Sequence, residues 1–97
     1  MIRFLEAAQQ ELDEAVAFHE GQVIGLGRAF LDEVLAALEL VRRYPAAWHL
    51  LNANARCCRL RRFPYRLIYH EDGSEILIVA VAHLHRRPGY WRDRLKR

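Results

Sequence analysis

FPYRLIYHEDGSEILIVAVAHLHRRPGYWRDR, residues 63–94, holds the most apolar run in the chain, its clearest hairpin turn and its densest cationic tail. Residues 76–82 are seven apolar side chains in succession, mostly β-branched, the composition of a central strand buried on both faces. Residues 65–71 alternate instead. Tyr65, Leu67 and Tyr69 share one face and Arg66, Ile68 and His70 the other, the period-two pattern of a strand beside that centre. Between the two runs stand Glu71, Asp72, Gly73 and Ser74, and the Asp-Gly pair predicts a tight hairpin with both turn positions at positive φ. The two runs are therefore read as an antiparallel pair, and what precedes them as its cover.

Upstream of this pair, residues 56–63 alternate so that Cys58 and Leu60 point inward and Arg59 and Arg61 outward, a third strand with a cationic outer face. Pro64 separates it from the next strand, because proline interrupts a central ladder. Residues 46–55 carry few signals and read as a loop. In residues 26–44, Phe30, Val34, Ala37, Leu38 and Val41 draw one apolar helical stripe, with Asp32, Glu33 and Glu39 off it. Arg42 and Arg43 suit the negative end of that helix, and Pro45 stops it. From Glu6 an earlier helix shows Ala8, Leu12, Ala15, Val16 and His19 at helical spacing, with Glu11, Asp13, Glu14 and Glu20 turned outward and His19 read as a core or interface histidine. Three glycines in residues 21–27 interrupt the two helices. Ile2 and Phe4 alternate with Arg3 in a short strand that joins the sheet later. Pro88-Gly89 ends the last strand, and residues 90–97 form a short terminal helix or a frayed tail.

These elements predict one α+β domain over residues 1–97: an N-terminal strand, then an antiparallel two-helix hairpin packed on a curved, mainly antiparallel sheet with three consecutive C-terminal strands. The absence of an ~18-residue apolar run or a basic-then-apolar leader argues against a membrane span or a secretion signal and makes the cytoplasm the expected location. Adjacent Cys57 and Cys58 point to opposite faces of a strand, so neither a disulfide between them nor a zinc site is expected, and no other metal or cofactor is implied.

Charge is divided unevenly. Residues 1–55 carry four Arg/Lys against eight Asp/Glu and residues 56–97 eleven against four, a split of −4 and +7 within the formal +3. Arg supplies 14 of the 15 cations, and a guanidinium grips carboxylate or phosphate with two parallel hydrogen bonds. The C-terminal half is thus read as seeking an anionic partner, nucleic acid or an acidic protein segment. The plainer alternative is a solvated basic face.

Four stretches in this order, GLGRAFLDEV (25–34), RRYP (42–45), RRFPYRLIY (61–69) and AVAHLHRRPGYWRDR (80–94), resemble the RelE/ParE superfamily of toxins from bacterial type II toxin-antitoxin systems. The resemblance implies a cytoplasmic protein that forms an oligomeric complex with a cognate antitoxin, which neutralises it. RelE-like members cut mRNA in the ribosomal A site, whereas ParE-like members poison DNA gyrase. For the nuclease, Arg66 matches a phosphate-contacting arginine and Tyr90 a base-stacking aromatic. The expected lysines are absent, Arg59 and Arg61 being their only cationic substitutes, and Leu84 stands where a second catalytic arginine is expected. The long hairpin of residues 6–44 and the PGYW ending resemble the ParE-like branch, which is therefore the favoured reading. A non-toxic binding module of the same fold is a third reading.

The residues bearing on these readings are few. As a nuclease the chain would rely on Arg66, His83, His85 and Tyr90, with His83 and His85 two apart on one face as a proton-transfer pair. The alternative for His83 is a hydrogen-bonding role at a sheet edge. Arg59, Arg61, Arg66, Arg86, Arg87, Tyr90, Trp91, Arg92 and Arg94 are candidates for contact with an anionic target or the antitoxin. For Tyr90 and Trp91 the alternative is to anchor the chain end to the core.

Overall fold

The computed structural model describes residues 1–96; Arg97, the end of the expected tail, lies outside the described residues. The elements are β1 (Ile2–Phe4), α1 (Glu6–Gln22), α2 (Leu26–Arg43), β2 (His49–Asn52), β3 (Ala55–Arg59), β4 (Tyr65–Asp72), β5 (Glu75–His83) and a 3-10 turn (Arg92–Leu95). They form one five-stranded sheet in the order β1-β5-β4-β3-β2, with β1 parallel to β5 and all other pairs antiparallel. The α+β class, the helix hairpin and the late return of the first strand are as the sequence predicts.

The two helices cover one face. Ala8, Leu12 and Ala15 of α1 and Phe30, Val34, Ala37 and Val41 of α2 join Leu67, Tyr69, Ile76, Ile78 and Val81 in a single core. His19 belongs to it, stacked on Phe30 with ring centroids 4.8 Å apart and bonded through Nδ1 to the Ala15 carbonyl. Close approach of the helices depends on Gly27, where a Cβ would lie 2.7 Å from the Val16 carbonyl oxygen. Gly25, at φ 88°, makes the left-handed turn into α2, and the Glu20 carboxylate accepts hydrogen bonds from the backbone N–H groups of Gly25 and Gly27.

Several sequence expectations are corrected. Residues 46–55 are not all loop: His49–Asn52 is an edge strand paired with β3, and an Asn52 side chain receiving the Asn54 N–H closes the turn between them. Four consecutive strands, not three, therefore end the chain. Gly21 lies inside α1, not in the interruption. Strand β3 ends at Arg59, so Arg61 does not extend its outer face. Instead Glu33 accepts the Arg62 N–H at 2.8 Å and the Arg62 Nε–H at 2.9 Å, holding this loop against α2. In the β4–β5 hairpin Asp72 pairs with Glu75, leaving Gly73 and Ser74 as the loop; only Gly73 has positive φ, 61°, so the turn is of the II′ kind. Strand β5 is interior, as predicted, but β4 occupies the centre.

The second face of the sheet is the largest correction. It is not cationic throughout. Ala55, Cys57, Ile68, Val79, Ala80 and Ala82 form a second core there, closed by Trp91 with Tyr90 and Leu95 packed around it. A register shift between Ile68 and Tyr69 leaves Val79 as an extra residue in β5, so that Val79 and Ala80 both contribute to this core.

Candidate functional site

Strand β1 stops early, and that determines what gathers at the edge of β5. The parallel pairing ends at Phe4 opposite Ile78, leaving the Val79 carbonyl and the Val81 N–H beyond it without a strand partner on that side. Polar backbone in such a place needs another source of hydrogen bonds. Glu11 supplies one: its Oε1 accepts the Val81 N–H at 3.0 Å. Arg94 donates from Nη1 to the Val79 carbonyl at 3.0 Å and to Glu11 Oε1 at 2.8 Å, and from Nη2 to Glu11 Oε2 at 2.9 Å. The Tyr90 hydroxyl donates to Glu11 Oε2 at 2.8 Å. The Arg86 guanidinium carbon lies over the Tyr90 ring, 3.9 Å from its centroid, with Nη1 4.0 Å from Glu11.

Glu11 is therefore not turned outward. Its side chain is 13% exposed and that of Arg94 21%. Burial pushes the Glu11 pKa up, but hydrogen bonds from Arg94, Tyr90 and Val81 outweigh it and hold the carboxyl below its ordinary value. Burial, reinforced by the bond to Glu11, pushes the Tyr90 hydroxyl up to about 12. Tyr90 and Arg94 thus serve as a latch on the C-terminal segment. Trp91, 2% exposed, is its plug. For Tyr90 and Trp91 this is the anchoring alternative of the sequence reading, and Arg94 is turned to Glu11.

Within the nuclease set, Arg66 stands apart from the two histidines. Tyr65, Leu67 and Tyr69 face the helices, so Arg66 faces the other way. His83 is paired with Tyr65 in register and packs edge-on against its ring, which places it on the helix side. His85 lies beside it, ring centroids 5.0 Å apart, and donates its backbone N–H to His83 Nδ1 at 3.0 Å. A backbone N–H can only donate, so Nδ1 is the acceptor and the neutral ring carries its proton on Nε2. The Nδ1 lone pair is thereby engaged by the backbone, a hydrogen-bonding role at the strand end.

The cations divide by surroundings. Arg59 is the direct cross-strand partner of Arg66, and the Nε of Arg66 is buried without a hydrogen-bond partner. Arg61 lies beside Glu33 in the loop after β3, while Arg87 and Arg92 are exposed on the segment that folds back over the second core. Cys58 faces the helix-side core and Cys57 the second core, and burial pushes the Cys58 thiol up to about 11. No three His, Cys, Asp or Glu side chains among the described residues are placed to hold a metal ion.

A groove of about 220 Å³ runs between α1 and the end of β5, lined by Glu14, Phe18, Tyr65, His83 and Arg86 among others. Phe18 is 60% exposed at its rim, and Val23 and Ile24 are exposed at the tip of the hairpin. Glu11 was the residue that sequence reading missed. It stands three after Ala8 and four before Ala15, on the apolar stripe itself, and a carboxylate there signals a buried ion pair.

Comparison with known proteins bears on this arrangement. The family described as "ParE toxin of type II toxin-antitoxin system, parDE" matches residues 2–88. Among solved structures, a chain from "Chromosomal ParDE TA system from P. aeruginosa" is similar at a TM-score of 0.59 and 22% identity, covering 84% of this chain and 92% of that one. At that identity the likeness speaks for the fold. No curated protein sequence matches.

Proposed function

Because the chain belongs to the ParE toxin family of type II toxin-antitoxin systems, we propose that it acts in the bacterial cytoplasm by poisoning DNA gyrase and that a cognate antitoxin neutralises it in an oligomeric complex. The observation that carries the choice of target is the separation of Arg66 from His83, which lie on opposite faces of the sheet, while the Tyr90 hydroxyl is engaged by Glu11. Cleavage of RNA by its own 2′-hydroxyl requires a base, an acid and cations around one phosphate. Gyrase poisoning by a bound protein requires a surface and no such assembly. Exposed Phe18 at the rim of the groove along α1, with exposed Val23 and Ile24 at the hairpin tip, favours a protein partner for that part of the molecule.

Two assays run on the same purified chain test the proposal. Gyrase supercoiling falls with added protein, and mRNA in translating ribosomes stays intact. Ribosome-dependent cuts that disappear in Arg66→Ala or His83→Ala establish the nuclease instead. Induced expression that leaves growth unchanged without any antitoxin favours the non-toxic binding module.

A further inference from the structure

Arg59 and Arg66 face each other across β3 and β4 on the side of the sheet away from the helices. Side chains in direct register have Cβ atoms about 5 Å apart, and like charges placed there repel. Other arginines of the same half have found carboxylates: Arg62 bonds Glu33, and Arg94 bonds Glu11. Neither Arg59 nor Arg66 forms an ion pair among the described residues. On its other side Arg66 is registered against Ala82, which offers neither bulk nor a side-chain acceptor. The Nε of Arg66 is buried and unpaired, which is costly for a charged donor unless a ligand satisfies it.

We infer that Arg59 and Arg66 form an oxyanion site that receives a carboxylate side chain of a protein partner, held between the two guanidiniums. The inference rests on the reading that this chain works through protein partners. Two planar donor groups from adjacent strands match the two oxygens of a carboxylate and cancel the repulsion between the cations. Exposed Arg87 and Arg92, on the segment that folds over this face, extend the positive field that draws an acidic segment in. Nucleic acid fits less well. Single strands bind on basic surfaces that also offer free aromatic faces for stacking. Here Trp91 is buried, and Arg86 covers the Tyr90 ring.

The site is tested on the full chain with three probes at low ionic strength: sulfate, hexaglutamate and a single-stranded hexanucleotide. Arg59→Gln, Arg66→Gln and a charge control on α2, Arg43→Gln, are compared with the wild type. Sulfate raises the Tm of the wild type and of R43Q and leaves that of R59Q and R66Q unchanged. Hexaglutamate binds the wild type more tightly than the hexanucleotide does, and loses about tenfold or more in either site variant, as expected for removal of a charge-assisted hydrogen bond. Without anions, the Tm of R59Q is no lower than that of the wild type, because the substitution relieves repulsion at an exposed position. Equal binding by R59Q, R66Q and wild type overturns the site, and tighter binding of the hexanucleotide overturns the carboxylate assignment. Since the probes involve neither gyrase nor an antitoxin, a site that passes alongside unaffected supercoiling refutes the gyrase reading alone.

Discussion

Glu11 shows how one carboxylate can organise a terminus. Removing its charge in Glu11→Gln leaves Arg94 half-buried without its anion, and the expected loss is about 2–4 kcal/mol of folding stability, read by chemical denaturation with Trp91 fluorescence. The pH dependence has a definite sign. The Glu11 carboxyl is held below its ordinary value of 4.5 in the fold, so its contribution is fully present above that pH and is lost as pH falls through the lower folded value. Between neutral pH and acid the wild type should therefore lose more stability than E11Q. An identical pH profile for the two proteins contradicts the latch. The helical period was legible in the sequence, but the role of Glu11 was not. Its partners Arg94 and Tyr90 are 83 and 79 residues away, and only the early end of β1 opens the edge of β5 to it.

Among the elements, the most legible were those whose pattern is set by burial alone. Strand β5 runs over Glu75–His83 as its apolar run predicts, and both helices follow their stripes. Strand β2 was hidden because an edge strand half-exposed at His49 and Leu50 needs no apolar alternation. The hairpin turn was located correctly but given the wrong dihedrals, since its loop begins at Gly73 and not at Asp72. The terminal segment was left between two readings for a physical reason: Tyr, Trp and Arg clustered near a chain end look the same whether they await a partner or close a core. As a plug, Trp91 predicts a cost of about 3–5 kcal/mol for Trp91→Ala, with binding of a hydrophobic dye to the uncovered face of β3, β4 and β5. A loss below 1 kcal/mol, with no dye binding, contradicts that role. At the other end of the fold, Gly27→Ala forces α1 and α2 apart at Val16 and should lower stability, because the obstructing atom is backbone; a neutral or higher Tm refutes the close approach.

At the scale of the molecule, the division of charge along the chain is partly spent inside it. Glu11 and Glu33, both in the acidic half, hold Arg94 and Arg62 of the basic half, so the halves are stitched together by the imbalance that first suggested an external anion. What the protein presents outside includes the Arg59 and Arg66 pair, with Arg87 and Arg92 on the covering segment, on one side of the sheet, and on the other a groove along α1 that mixes Phe18 and Tyr65 with charged Glu14 and Arg86. The superfamily and fold class were legible because four motifs in order report a topology. The placement of the candidate site residues was not, because β-strand register decides which face each side chain occupies. The family match makes the chain a ParE toxin; separation of Arg66 from His83 by the sheet, with Tyr90 drawn into the latch, supports the proposal that it poisons gyrase and is not a ribonuclease. The most direct measurement is gyrase supercoiling as a function of the purified chain's concentration. The account predicts progressive inhibition that His83→Ala leaves unchanged; full supercoiling at every concentration, with mRNA cut in translating ribosomes by the same preparation, would contradict it.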